Sequence, residues 1–396
     1  MKQEGGKILG TGGFGCVIDS KIKCKNKVKQ DKKITKIMNK YEAIDEYNEN
    51  NIIELIDPNN KFTLNEKTIT CNINIKKTKG EGKKDIKNCI KYLKNNNIIQ
   101  KNNEILGIMM KNGGFSLQNY IDNIDNMGDK FRKFIININN RFKILTSLRR
   151  LFLGIKILND KGYYHYDIKL PNILYNNNTL EFNLIDFGLM TKLGTIQKIS
   201  GHHSMYNMPP SNYSIKLISN EEPKKITFDY YFGKGYTKYY FKLIFRILET
   251  YIPEKLNTFN YKLYNLNKPK NPTFYNIFKI VFTNYIQNTS LNDINEYYDK
   301  TVDVYALGLA LIPLLHIMPD IKNDPYKKEL AEILYKMINM NDKKRINQTQ
   351  TLKLYDKYLK TLKKRYYKQI FPKKKKTKKR NIKKKRKTKR KRNIKF

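Results

Sequence analysis

The 396-residue chain carries 79 Lys and Arg against 35 Asp and Glu, a net charge of +44 at neutral pH. A hydrophobic fraction of 40% suffices for a packed core and excludes a wholly disordered chain, while the positive balance points to polyanions as partners and says nothing about fold. The longest largely apolar stretch, residues 305–318, is too short to cross a bilayer and contains Pro313, so no membrane span is expected.

In chain order, residues 1–6 lack the apolar run of a secretory signal. A strand at 7–9, a glycine turn at 10–15 and a strand at 16–18 lead into a Lys-rich exposed turn at 21–33. A third strand is expected at 34–38 and a helix at 41–56, stopped by Asp57-Pro58. Further strands are expected at 61–64 and 105–110, the latter closed by Gly113-Gly114. Helical spacing covers 142–158, with Gly162 suited to a C-terminal cap, and residues 172–175 and 182–185 suit a small hairpin. Residues 213–299, rich in Tyr, Phe, Lys and Asn, carry no assignable pattern and read either as a segment that shapes substrate docking or as an elaborated surface loop; helices return at 302–315 and 328–338. Strands first and helices later indicate an α+β fold.

The four cysteines, Cys16, Cys24, Cys71 and Cys89, form no CxxC pair and have no companion histidine cluster, so neither a zinc site nor a disulfide framework is expected, and the chain reads as held in a reducing compartment. Residues 373–396 hold seventeen Lys and Arg and no acid; removing them from +44 leaves +27 on the body. Such a run repels itself and buries little, so the tail, 361–396, is expected to be disordered and to contact nucleic acid or another polyanion.

Two motifs carry chemistry. Gly10, Thr11, Gly12, Gly13, Phe14, Gly15, Cys16 and Val17 fit G-x-G-x-x-G-x-V, in which glycines let backbone N–H groups approach phosphates. A dinucleotide-binding fold would continue as a helix, whereas Val17-Ile18 continues as a strand. More specific is His165-Tyr166-Asp167-Ile168-Lys169-Leu170-Pro171-Asn172, which fits H-x-D-x-K-x-x-N and precedes Asp186-Phe187-Gly188 by a hairpin. Phosphoryl transfer needs a carboxylate to accept a hydroxyl proton, a cation near the moving phosphate and oxygen ligands for magnesium. Asp167, Lys169 and the pair Asn172 and Asp186 supply these in that order.

On these motifs the chain resembles the eukaryotic-type protein kinases over about residues 7–359, and its composition is similar to that of divergent kinases of large DNA viruses. The resemblance implies a bilobal fold, with a small β-rich lobe at 1–112 and a larger helical lobe at 113–360 that carries an insertion at about 212–300. It implies ATP and Mg2+ as cofactors, a protein substrate and Ser/Thr rather than Tyr specificity through Lys169. It further implies a cytoplasmic location, in a host cell or virion, with nuclear entry through the basic tail. Asp167 matches the catalytic base, and Asn172 and Asp186 match metal ligands. Lys36 is preferred to Lys29 as the lysine holding the ATP phosphates. Glu49 is preferred to Glu46 as its partner, and residues 109–112 as the adenine-binding hinge. Asp303 resembles the residue that braces the catalytic loop, and residues 341–345 a late element ending in Arg345.

The pattern also departs from the family. Tyr166 stands where Arg is usual, and residues 208–211 lack the glutamate expected to meet Arg345, so that either Glu221 or Glu222 substitutes or the brace is lost. The alternatives are a pseudokinase scaffold with a polyanion-binding tail, a small-molecule kinase and a nucleic-acid binder with a degenerate kinase body.

Overall fold

The computed structural model describes residues 8–12, 15–19, 22–26, 33–64, 68–101, 104–192, 235–257, 273, 276–277, 279, 291–339 and 344–370. The protein is α+β, with a sheet-rich N-terminal region followed by a helical C-terminal region.

Five strands form the first sheet: β1 (Ile8–Gly12), β2 (Gly15–Ile18), β3 (Lys33–Asn39), β4 (Ile69–Cys71) and β5 (Ile105–Lys111), in the order β1-β2-β3-β5-β4. β3 is central and pairs antiparallel with β2 and β5, with Lys36 opposite Val17 on one side and Ile108 on the other. Successive side chains of a strand point to opposite faces. Met38 thus packs with Ala43, Leu106 and Ile108 under helix α1 (Lys40–Ile56), while Ile37 joins Cys16, Ile86, Cys89 and Leu93 under helix α2 (Gly80–Asn95). Asn39 caps α1 by accepting the Tyr41 N–H at 2.9 Å.

The stretch 61–64 is not a strand. Asp57, buried at the end of α1, accepts N–H bonds from Lys61, Phe62 and Thr63 at 2.8, 3.0 and 3.1 Å and the Thr63 hydroxyl at 2.9 Å. The chain therefore wraps around one carboxylate, and its apolar alternation serves to sink Phe62 into the core.

The cysteine expectation is overturned. Disulfides join Cys16 to Cys89 and Cys24 to Cys71, across 73 and 47 residues of sequence. A missing CxxC speaks against zinc ribbons and redox motifs, not against long-range pairs closed by tertiary packing. The first bridge fixes α2 to β2 beside the glycine turn.

The helical region begins after β6 (Phe115–Ser116) with α3 (Leu117–Asp122) and α4 (Asp129–Ile136), which lead into the long α5 (Ile138–Asp160). A turn with Gly162 at φ +75° delivers the chain to β7 (Tyr163–Tyr164), which pairs with β10 (Thr191–Lys192). Between them, β8 (Ile173–Asn176) and β9 (Glu181–Leu184) make the expected hairpin, and β8 also pairs with β6.

Residues 235–252 do not form a surface loop. Helix α6 (Gly235–Tyr251) buries Phe241, Ile244, Phe245 and Leu248 in the main core, and the short α7 (Glu254–Asn257) follows. The core is completed by α8 (Leu291–Ile317), α9 (Tyr326–Met337) and α10 (Gln348–Ile370). α10 continues ten residues past the tail boundary expected at 360, with Leu362 and Tyr366 buried, and Arg365 bridges Asp324 at 3.0 Å. The basic run 373–396 lies outside the described residues, as does the segment 208–211. Among the described residues no helix is long and apolar enough to cross a membrane.

Candidate active site

A cavity of about 820 Å³ lies between the sheet and the helical region. It is lined by Gly10, Thr11, Gly15 and Val17 from β1 and β2, by Lys36 of β3, and by Glu46 and Glu49 of α1. Asp167, Lys169, Asn172 and Asp186 line it from the helical side. Gly12 ends β1, and Gly13 and Phe14 lie outside the described residues. Gly15 has a steric reason: a Cβ there would meet the Ile37 carbonyl oxygen at 2.5 Å. Met110, Lys111 and Asn112, from the expected hinge, form part of the wall.

The glutamate that pairs with Lys36 is Glu46, not Glu49. Lys36 Nζ donates to Glu46 Oε2 at 2.5 Å, with the two side chains 16% and 13% exposed. Burial acts to lower the Lys36 pKa, but Asp186, Glu46 and Glu49 outweigh it and hold the ammonium above its ordinary value. Glu49, one turn later, borders Gly188 beside Asp186. Burial, then the neighbouring carboxylates of Glu46, Asp186 and Asp45, push its carboxyl up to about 7.

Residues 165–172 are held from below. Asp303, buried on α8, accepts the backbone N–H of His165 at 2.8 Å and of Tyr166 at 3.0 Å. The His165 ring is fixed between the Asp167 N–H, donated to Nδ1 at 3.3 Å, and the Ile185 carbonyl 3.1 Å from Nε2, so Nε2 is the donor nitrogen. Tyr166 sits in the left-handed region at φ +58° and is buried against Tyr164, with ring centroids 5.8 Å apart. That conformation costs a bulky residue on the order of 1–2 kcal/mol, and the Asp303 bonds hold it.

Asp167 is locked in turn. Asn172 Nδ2 donates to its backbone oxygen at 2.9 Å and its Oδ2 at 2.8 Å, and Lys169 Nζ lies 2.8 Å from the same Oδ2. Burial raises the Asp167 pKa, against the opposing pull of Lys169 and His165. Asp186 follows the hairpin at φ +63°, a second strained residue, and Phe187 packs its ring 4.7 Å from that of His165. Strained backbone of this kind concentrates at functional sites.

Arg345 donates to Thr301 Oγ1 at 2.9 Å and to the Asn339 carbonyl at 2.8 Å, and stacks on Tyr305 at 4.9 Å. Glu221 and Glu222, its expected partners, lie outside the described residues. Among the described residues no group of three or more His, Cys, Asp and Glu is placed to hold a metal ion. No protein-family model and no curated protein matches the chain.

Proposed function

We propose that the chain is an ATP-dependent Ser/Thr protein kinase that moves the γ-phosphate of ATP to a protein hydroxyl with Mg2+. The observation that carries this reading is the meeting of the Lys36–Glu46 pair, the Asp167–Lys169–Asn172 unit and Asp186 around one cavity.

Lys36 binds the α- and β-phosphates, and Glu46 keeps its ammonium in place. Asn172 and Asp186 would hold Mg2+; two oxygen-bearing side chains suit this hard cation, which draws its remaining ligands from water and phosphate. Mg2+ would screen charge between the β- and γ-phosphates.

Both Lys169 and Asn172 occupy Oδ2 of Asp167, which leaves Oδ1 to accept the proton of the attacking Ser or Thr hydroxyl. The hydroxyl oxygen bonds to the γ-phosphorus, the bond to the β-phosphate oxygen breaks, and ADP leaves. Lys169 neutralises charge on the transferring group. Base assistance of this type contributes on the order of 10²–10⁴ in rate. Tyr166, buried and uncharged, cannot read an activation-loop phosphate, so control through a phosphate at that point is not part of the reading. The basic tail serves as a polyanion contact.

The test is incubation with labelled ATP, Mg2+ and a basic protein substrate, beside Asp167→Asn and Asp186→Ala. Transfer by the wild type that both variants lose, with label recovered on Ser or Thr, supports the proposal. ATP-dependent thermal stabilisation without any transfer would favour a scaffold instead.

A further inference from the structure

Helix α2 belongs to none of the chemistry above, yet five of its sixteen residues are lysines. Lys83, Lys84, Lys87, Lys91 and Lys94 are all exposed. At 3.6 residues per turn they fall within an arc of about 100° and span about 16 Å of helix axis. The opposite face, with Ile86, Cys89, Ile90 and Leu93, is buried on the sheet and bonded to it through Cys16. Among the described residues no carboxylate forms an ion pair with these five ammonium groups. Lys94 influences the Glu104 carboxylate through space only. Of the two acids on the helix, Asp85 is buried and Glu81 lies outside the lysine arc.

We infer that this face is a docking surface for the phosphate backbone of duplex nucleic acid, read without regard to sequence. The chemistry of the face selects among polyanions. Beside the arc the exposed positions are Asn88 and Asn95, with Glu81 farther round at the first turn, and none of the exposed large hydrophobic residues lies on this helix. An anionic membrane is gripped by helices that add Trp, Phe or Leu to their lysines. A protein partner is gripped through aromatic and Arg anchors, with Lys depleted. Lys and Asn alone are phosphate ligands. The spacing agrees, since one strand of a duplex presents a phosphate about every 3.4 Å, or about five over the length of the lysine row. The disulfide to β2 makes this a fixed platform on the sheet.

The test uses the full chain and a labelled 20-base-pair duplex of random sequence, with anisotropy read between 50 and 200 mM salt. One variant carries K83Q, K87Q, K91Q and K94Q; a control carries K130Q, K161Q, K322Q and K353Q, the same loss of charge at exposed positions elsewhere. Each lost phosphate contact removes about 0.9 from the log–log salt slope, so the α2 variant should lose up to about 3.6 while the control moves by less than one. Lysine acetylation mapped by mass spectrometry should show the α2 lysines protected by the duplex. Equal losses in both variants, or no protection on α2, overturn the inference. Protection by phosphatidylserine vesicles and not by duplex would assign the face to membranes and overturn it equally.

Discussion

Lys36 and Glu46 form a withdrawn ion pair that ties the central strand of the sheet to α1, with Nζ and Oε2 2.5 Å apart. Glu49, three residues along the same helix, faces Gly188 instead. The two glutamates therefore do different work despite sharing one cavity wall.

In a phosphotransfer assay, Glu46→Gln should lower kcat/KM for ATP about 10- to 100-fold, the scale of about 1.4–2.7 kcal/mol lost where a charged partner is neutralised. Glu49→Gln should cost less than fivefold. A reversal of that order would return the pairing role to Glu49.

Glu49 gives the stability of the ligand-free protein a pH signature. Its folded pKa, about 7, lies above the ordinary 4.5, so its contribution is full below pH 4.5 and is lost as pH rises through 7. Glu49→Gln cannot ionise, and the variant should gain on wild type between pH 5 and pH 8. Allowing for solvent screening at this half-buried position, the gain is about 1 kcal/mol. Urea unfolding at both pH values, without ATP or Mg2+, measures it; parallel losses in the two proteins would count against this origin.

Asp303 satisfies two backbone N–H groups at once. Asp303→Ala leaves both buried without an acceptor, which should cost about 3 kcal/mol in urea unfolding. It also releases the strain held at Tyr166, so phosphotransfer should fall further than the folded fraction does. Equal falls in the two readouts would reduce Asp303 to a purely structural role.

The two disulfides nest, with the 24–71 loop inside the 16–89 loop. Under reductant the protein should lose about 2–4 kcal/mol of stability. Thiol titration of the native, unreduced protein should find no reactive cysteine; four titratable thiols would contradict the pairing.

Much of this architecture is legible in local pattern. The strand expected at 34–38 and the helix at 41–56 fall within β3 and α1, because β-branched Ile34, Thr35 and Ile37 favour a strand and Asn39 and Asp57 punctuate. The motif residues Asp167, Lys169, Asn172 and Asp186 are brought to one cavity. What local pattern misses is settled at long range. Glu46 and Glu49 both lie toward the cavity, and only the position of Lys36 along the helix axis distinguishes them. The cysteine partners are separated by 47 and 73 residues, beyond any motif window. α2 escapes notice because five of its sixteen residues are lysines, although Ile86, Cys89, Ile90 and Leu93 keep helical spacing. Residues 235–252 repeat that lesson with Phe241, Ile244, Phe245 and Leu248, whose period is audible only once the surrounding tyrosines are discounted.

The wrapped segment after α1 has a mechanical consequence. Phe62 lies against Gly154 of α5, where a Cβ would come within 2.7 Å of its ring, and its carbonyl accepts the Leu184 N–H at 2.9 Å. Arg150 adds a bond to the Asn60 carbonyl at 2.8 Å. The C-terminal end of α1 is thereby seated in the helical region, while Glu46, near its other end, reaches for a strand of the sheet. From Asp57 to Glu46 is a lever arm of about 16 Å. A tilt of about 10° about that fulcrum would carry Glu46 about 3 Å along its arc, enough to open its contact with Lys36. The ion pair is thus a gauge of the angle between the two halves of the molecule, amplified by the length of one helix.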